Sequence, residues 1–484
     1  MSTIPSDQKV TQLPSSQEIE NICDEIIKGE YNLIPKLQSY LIGDLSVNKI
    51  ILNKNVCRYL ISIIPTVNDE IISNSLILFV KFIGEKNSQT FSLHLVENGL
   101  FHLFDKFFEK SFDVLCSFML LLGNMFSDGL TFVEMAMKNN LLEKINRMMK
   151  YIGMKIETIR NVFKLREIQI DENDNLWRIV NEMNLNNVSS FINLITFVYT
   201  NITRSKYRLQ TPNDMSIVNH FQSILCSPDD NMFSNQIICD ALWGMVYLLD
   251  SEQFSVVDMN DKLIERLFQL MLNSDYQVSL PSTRIIGFFV SMDEDYVEKF
   301  VRKGLLKAFE YLLHIAPTQK QFPYFELLWT ISNVAVSDNG LFSNMIVEET
   351  NIVTMLCDMY ESNTFESKIL IEIVYSLLSL LYYDSNKKFI KIFSKNSRII
   401  KIIIHSMIEF KDNERLVSLS LKAIENFIHF GNVHGINFKD IFKKFDVFDE
   451  LMTFFTIYDV NSVTALTKRR IMFILQYLND ENEE

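Results

Sequence analysis

Glycine and proline are scarce in this 484-residue chain, at 13 and 9. An all-β protein of this length would need many more turn residues, and a parallel α/β fold would need recurrent glycine-rich turns. Their scarcity points to helices joined by short loops. Cysteine is also sparse. Cys23, Cys57, Cys116, Cys226, Cys239 and Cys357 are scattered without any C-x-x-C spacing, which argues against a zinc site or a disulfide framework and fits a reducing compartment. No apolar run is long enough to span a bilayer. The longest, about Ile373–Tyr383, is closed by Glu372 and Asp384. The first residues, MSTIPSDQKV, lack the basic-then-apolar layout of a secretory signal. Positive charge is in deficit, with 46 Lys+Arg against 60 Asp+Glu and a formal net charge of −14. That balance disfavours nucleic acid as a partner and suits a basic one.

Catalytic motifs are missing as well. The sequence contains no P-loop, no G-x-G-x-x-G and no G-x-S-x-G, and its histidines have no zinc spacing. No enzyme, metal or cofactor is expected. Hydrophobic residues make up 48% and charged residues 22%, the mix of an ordinary packed protein rather than a disordered one.

What the sequence does have is internal repetition. One layout recurs: an apolar helix, a short break, then a second apolar helix ending in polar residues. The second helices read DALWGMVYLLD (240–250), STRIIGFFVSMDED (282–295), ELLWTISNVAVSDN (326–339), EIVYSLLSLLYYDSN (372–386) and KAIENFIHFGN (422–432). Aligned on Trp243, Arg284, Trp329, Tyr375 and Lys422, they are spaced 41, 45, 46 and 47 residues apart, inside the range of HEAT and armadillo units. SNSLILFVKFIGEKN (73–87), SFMLLLGNMFSDG (117–129) and FINLITFVYTNITRS (191–205) fit less closely. The breaks carry Gly99, Gly304, Asn140 and Asn351, residue types that tolerate the left-handed turn closing a helix. Pro281 falls near a predicted helix start. The expected fold is an all-α armadillo-repeat solenoid, a right-handed superhelix of about nine to ten repeats over 17–478. Residues 1–16 are expected to be disordered, 164–175 to lie in an insertion loop, and 479–484 to form an acidic tail.

The second helices also repeat a chemical pattern. Asp240, Glu326 and Glu372 each precede an aromatic by three residues, at Trp243, Trp329 and Tyr375, and Asn333 follows Trp329 by four. Both spacings share one helix face. Acid, aromatic plate and amide would suit an extended basic peptide, its lysine stems along the rings and its backbone on the amide. Spacing alone leaves open the alternative that these rings are core packing.

The motifs themselves resemble those of the importin α family of nuclear-localisation-signal receptors. ELLWTISNVAVSDN is similar to the signature in which Trp and Asn, four apart, end the third helix of an armadillo repeat. DALWGMVYLLD looks like the preceding Trp/Tyr variant, NSDYQVSLPSTRIIGFF (273–289) like the repeat with arginine in the tryptophan place, and KAIENFIHFGN like the late asparagine repeat. The resemblance implies a nuclear import adaptor, cytoplasmic and nuclear, whose minor signal-binding region uses Asp240, Trp243, Tyr247, Arg284, Glu326, Trp329, Asn333, Glu372 and Tyr375. It implies a degraded major region at Leu120, Asn124, Asp128, Phe197 and Asn201, with Leu78 and Phe82 in the repeat before. Leucine and phenylalanine stand there in place of tryptophan. The implied partners are proteins with Lys/Arg-rich signals and an export receptor, with no nucleic acid and no membrane. Importin β is a doubtful partner, because the first 50 residues carry only Lys9, Lys28, Lys36 and Lys49 as basic residues. The competing expectation is an armadillo scaffold for another protein partner.

Overall fold

The computed structural model describes residues 14–41, 45–83, 88–160, 174–227, 233–316, 321–337, 340–362, 364–382, 388, 390, 392, 397–457 and 464–479. Among these residues the fold is all-helical, with no strand. The chain divides into two compact units, residues 1–258 and 259–484.

The first unit stacks four long helices in chain order: α1 (Asp69–Ile83), α2 (Phe112–Ser127), α3 (Leu185–Arg204) and α4 (Asn235–Asp250). The second stacks five: α5 (Tyr276–Met292), α6 (Tyr324–Val336), α7 (Ser367–Leu380), α8 (Glu414–His434) and α9 (Ala465–Asn479). Other helices lie between successive members in sequence, and of these Glu294–Arg302 packs on α5. Each unit is thus a solenoid-like stack, in which a helix buries its apolar face on its neighbours.

Local chemistry places the helix ends. Asn184, Asn413 and Ser234 side chains accept from Asn187, Leu416 and Ile237 backbone N–H groups at 2.9, 3.1 and 3.4 Å. Gly99, Gly304 and Asn140 take left-handed φ values of 93°, 104° and 58° at three of the expected breaks. Asn351 does not, with φ −98°. Its backbone N–H and Nδ2 instead both donate to Glu310 Oε1, at 3.0 and 2.8 Å, so the break is held by a carboxylate.

The apolar face of each stacked helix is buried. In α6, Leu327, Leu328, Ile331, Val334 and Ala335 are inside. Close approach between helices is aided by buried hydroxyls. Thr196, Thr200, Ser282, Thr283 and Thr330 each donate to the carbonyl four residues back, at 2.6–2.8 Å. Thr200 also bonds the Asp240 carbonyl of α4 at 2.8 Å, and Ser332 meets Ser376 of α7 at 3.2 Å.

Four sequence expectations are corrected. Residues 14–16 are ordered, with the Ser15 hydroxyl capping a helix that begins at Ser16, at 3.2 Å from Glu18 N. Pro281 is well inside α5, which starts at Tyr276 behind the Asp275 cap, so its ring removes an interior hydrogen bond. Asp174 caps a helix over Asn175–Glu182, so the expected 164–175 loop ends earlier; 164–173 lie outside the described residues. The helix to Asn479 precedes the acidic tail, and 480–484 likewise lie outside them.

Candidate functional site

Each stacked helix keeps one stripe of partly exposed residues spaced three or four apart. In the first unit these are Cys116, Leu120 and Asn124 on α2, Phe197 on α3, and Asp240, Trp243 and Tyr247 on α4. In the second they are Leu280, Arg284 and Phe288 on α5, Glu326, Trp329 and Asn333 on α6, Glu372, Tyr375 and Ser379 on α7, and Ser418, Lys422 and Asn426 on α8. Trp243, Arg284, Trp329, Tyr375 and Lys422, the residues aligned in the sequence, are each partly exposed.

On α1 the expectation is wrong by one residue. Leu78 and Phe82 are both fully buried, and the Phe82 ring packs on Phe91 at 4.4 Å. Partly exposed residues there include Ser73, Asn74, Ile77 and Val80. One residue is 100° of helix rotation, enough to turn a surface position into the core.

The three acids share an environment. Asp240, Glu326 and Glu372 are half-buried, and burial raises the pKa of each above the ordinary carboxylate value. Donation from Gln236 Nε2 at 2.9 Å tempers the rise at Asp240, Arg284 tempers it at Glu326, and Arg415 tempers it at Glu372. These are carboxylates short of solvation, and a cation brought against them would restore it.

The aromatic plates are seated differently from one another. Trp243 lies beside Tyr247 at 5.8 Å and 31°. Trp329 meets Phe288 edge-on at 5.6 Å. It lies over Gly287, where a Cβ would stand 2.4 Å from its ring. Phe197 covers Gly123 in the same way, at 2.3 Å. In both cases the glycine follows the stripe position of the preceding helix by three residues, after Arg284 and after Leu120. Sequence reasoning missed this pair; the available signal was a glycine inside an apolar helix in a glycine-poor chain.

Tyr375 has a neighbour of its own. The Arg415 guanidinium stands 5.3 Å from its ring centre, and its hydroxyl donates to Asn413 Oδ1 at 3.0 Å. The place the sequence reading gave to a ligand lysine is already held by an arginine of the chain.

The amides divide too. Asn124 and Asn201 turn Nδ2 back to the carbonyls of Leu120 and Phe197, at 2.9 and 3.1 Å. Asn201 is only 5% exposed and presents little surface. Asn333 Nδ2 is shielded from solvent and makes no hydrogen bond. Asp128, expected to meet a lysine, accepts from Ser92 Oγ at 2.5 Å. The set on α2 and α3 thus has leucine and phenylalanine where α6 has tryptophan, while Asn201 and the Asn333 Nδ2 are both shielded.

No protein-family model matches the chain, and no curated protein matches it. Among solved structures it is similar to the crystal structure of an engineered protein from the Northeast Structural Genomics Consortium. The TM-score is 0.65 at 11% identity, over 97% of this chain and 100% of that one. At that identity the likeness concerns the fold. No described helix is long and apolar enough to cross a membrane.

Proposed function

We propose that this protein is an armadillo-type adaptor, of about nine to ten repeats in a right-handed superhelix, that binds extended lysine-rich peptides of the nuclear-localisation-signal kind. The binding centre is Glu326, Trp329 and Asn333 on α6, with Glu372 on the adjacent α7. The observation that carries this reading is the recurrence of a desolvated acid three residues before a half-exposed ring, at Asp240–Trp243, Glu326–Trp329 and Glu372–Tyr375. An ordinary packed ring needs no acid beside it, and an acid left in a half-dry place favours a cationic ligand.

In this reading a lysine stem lies along Trp329 and its ammonium meets Glu326. An outward turn of the Asn333 amide, whose Nδ2 is shielded in the free chain, supplies it to the peptide backbone, and no enzymatic step is assigned. The cargo reading implies presence in cytoplasm and nucleus.

The test is titration of a labelled lysine-rich peptide against the full chain at low and physiological salt. Binding that weakens with salt, about tenfold with Trp329→Ala and several-fold with Glu326→Gln, supports the reading; a cation over a ring is worth about 0.5–2 kcal/mol. Absence of binding at low salt overturns it. Arg415 over Tyr375 favours a partner other than a purely basic peptide at α7 and α8.

A further inference from the structure

The stripe of the second unit changes sign along its length. Glu326 and Glu372 lie on α6 and α7, whereas α8 presents Arg415 and Lys422. These two are seven residues apart, two helical turns, so they share a face and stand about 10 Å apart along the axis. Each lies against a tyrosine. The Arg415 guanidinium is 5.3 Å from the Tyr375 ring centre, and Lys422 Nζ is 3.3 Å from that of Tyr382.

Neither cation is in an ion pair among the described residues. Glu372 lies within electrostatic reach of Arg415 without contact. Asp412 and Glu414, its sequence neighbours, make no ion pair with it. The nearby Glu425 of α8 is taken by Arg470 Nε of α9 at 3.2 Å. What sets Arg415 and Lys422 apart from the other ring-backed cations is that they share one face of α8, beside the acid-bearing α7.

We infer that Arg415 and Lys422 form an anion subsite that receives an acidic side chain of the same peptide whose lysine sits at Trp329. This inference rests on the peptide reading above and adds to it a charge order: a basic run followed, at a fixed distance, by a carboxylate. The rings hold the cations on the surface of α8 and keep one face of each covered, so an incoming carboxylate meets partly desolvated donors. The distance follows from the stack. From α6 to α8 is two helix spacings, about 16–20 Å. An extended peptide covers that in about five or six residues, at roughly 3.3 Å each.

The experiment uses the full chain and three labelled peptides at low salt. One is a lysine run alone; the second and third carry a pair of glutamates five and six residues before or after it. One of the two glutamate peptides is expected to bind about three- to tenfold more tightly than the run alone. That gain is expected to vanish in the double variant Arg415→Gln/Lys422→Gln and to persist in Arg415→Lys, with circular dichroism and thermal melting unchanged. If the run binds but glutamate on either side is neutral or weakening, the subsite is overturned while the basic-peptide reading stands. A gain that survives the double variant overturns it equally. If no peptide binds, both readings fall.

Discussion

At the scale of single residues, the chemistry depends on what lies beneath a ring as much as on the ring. Gly287 gives Trp329 its seat, because a Cβ there would come within 2.4 Å of the indole and 2.8 Å of Thr330 Oγ1. Gly287→Ala is expected to lower stability by about 1–2 kcal/mol, overpacking outweighing the helix propensity gained, and to weaken peptide binding by tilting Trp329. Gly153, also helical, has nothing within 4 Å of a built Cβ. The same change there is expected to raise stability by about 0.5–1 kcal/mol. Chemical denaturation of both variants gives the comparison. His220 supplies a pH dependence. Its ring bonds Thr196 Oγ1 at 2.9 Å, packs edge-on against Tyr199, and burial pushes its pKa down to about 4. A histidine with a lowered folded-state pKa favours folding while neutral, so its contribution is present above pH 6.5 and is lost as pH falls toward 4. Against His220→Gln, the native chain is expected to lose about 2 kcal/mol more over that window, read from melts at several pH values. Ring identities and acid spacings were legible in the sequence. The glycine seats and Arg415 were not, because each meets a partner 40 or more residues away, 74 for Gly123 and Phe197, and leaves no local period.

At the scale of helices, the repeat was legible because stacking forces the same apolar rhythm on each unit. Five stripe positions fell where the alignment put them. Registers failed where the rhythm was too full. In α1 nearly every position from Ile71 to Val80 is apolar or small, so Leu78 and Ile77 look equally suited to either face. The start of α5 was missed because Asp275 as a cap outranked Pro281 as a marker of the helix start. Asn413 joins two helices. Its Oδ1 caps α8 at Leu416 N and also accepts from the Tyr375 hydroxyl of α7. Asn413→Ala is expected to cost about 1–2 kcal/mol, while Asn413→Asp, which keeps the acceptor, retains most of that. Thermal unfolding distinguishes them.

At the scale of the molecule, charge sets the terms of association. A chain of net charge −14 attracts basic peptides at long range, and this attraction is screened by salt within about 10 Å at 0.1 M. Binding should also depend on pH in one direction. Glu326 and Glu372 have raised pKa values when unliganded, and a bound lysine holds them ionised and lowers those values. The complex therefore binds fewer protons, so affinity is expected to be full above the raised values and to fall as pH drops through them. Titrations across acidic pH check this, and Glu326→Gln should flatten the profile. The chain has three tryptophans. Trp177 packs on Tyr151 at 5.5 Å, whereas Trp243 and Trp329 are partly exposed on α4 and α6. Trp329 thus sits where the proposed peptide would arrive. The unlabelled protein is its own optical sensor, and a change in emission on adding peptide that disappears in Trp329→Phe would report occupancy at α6 directly.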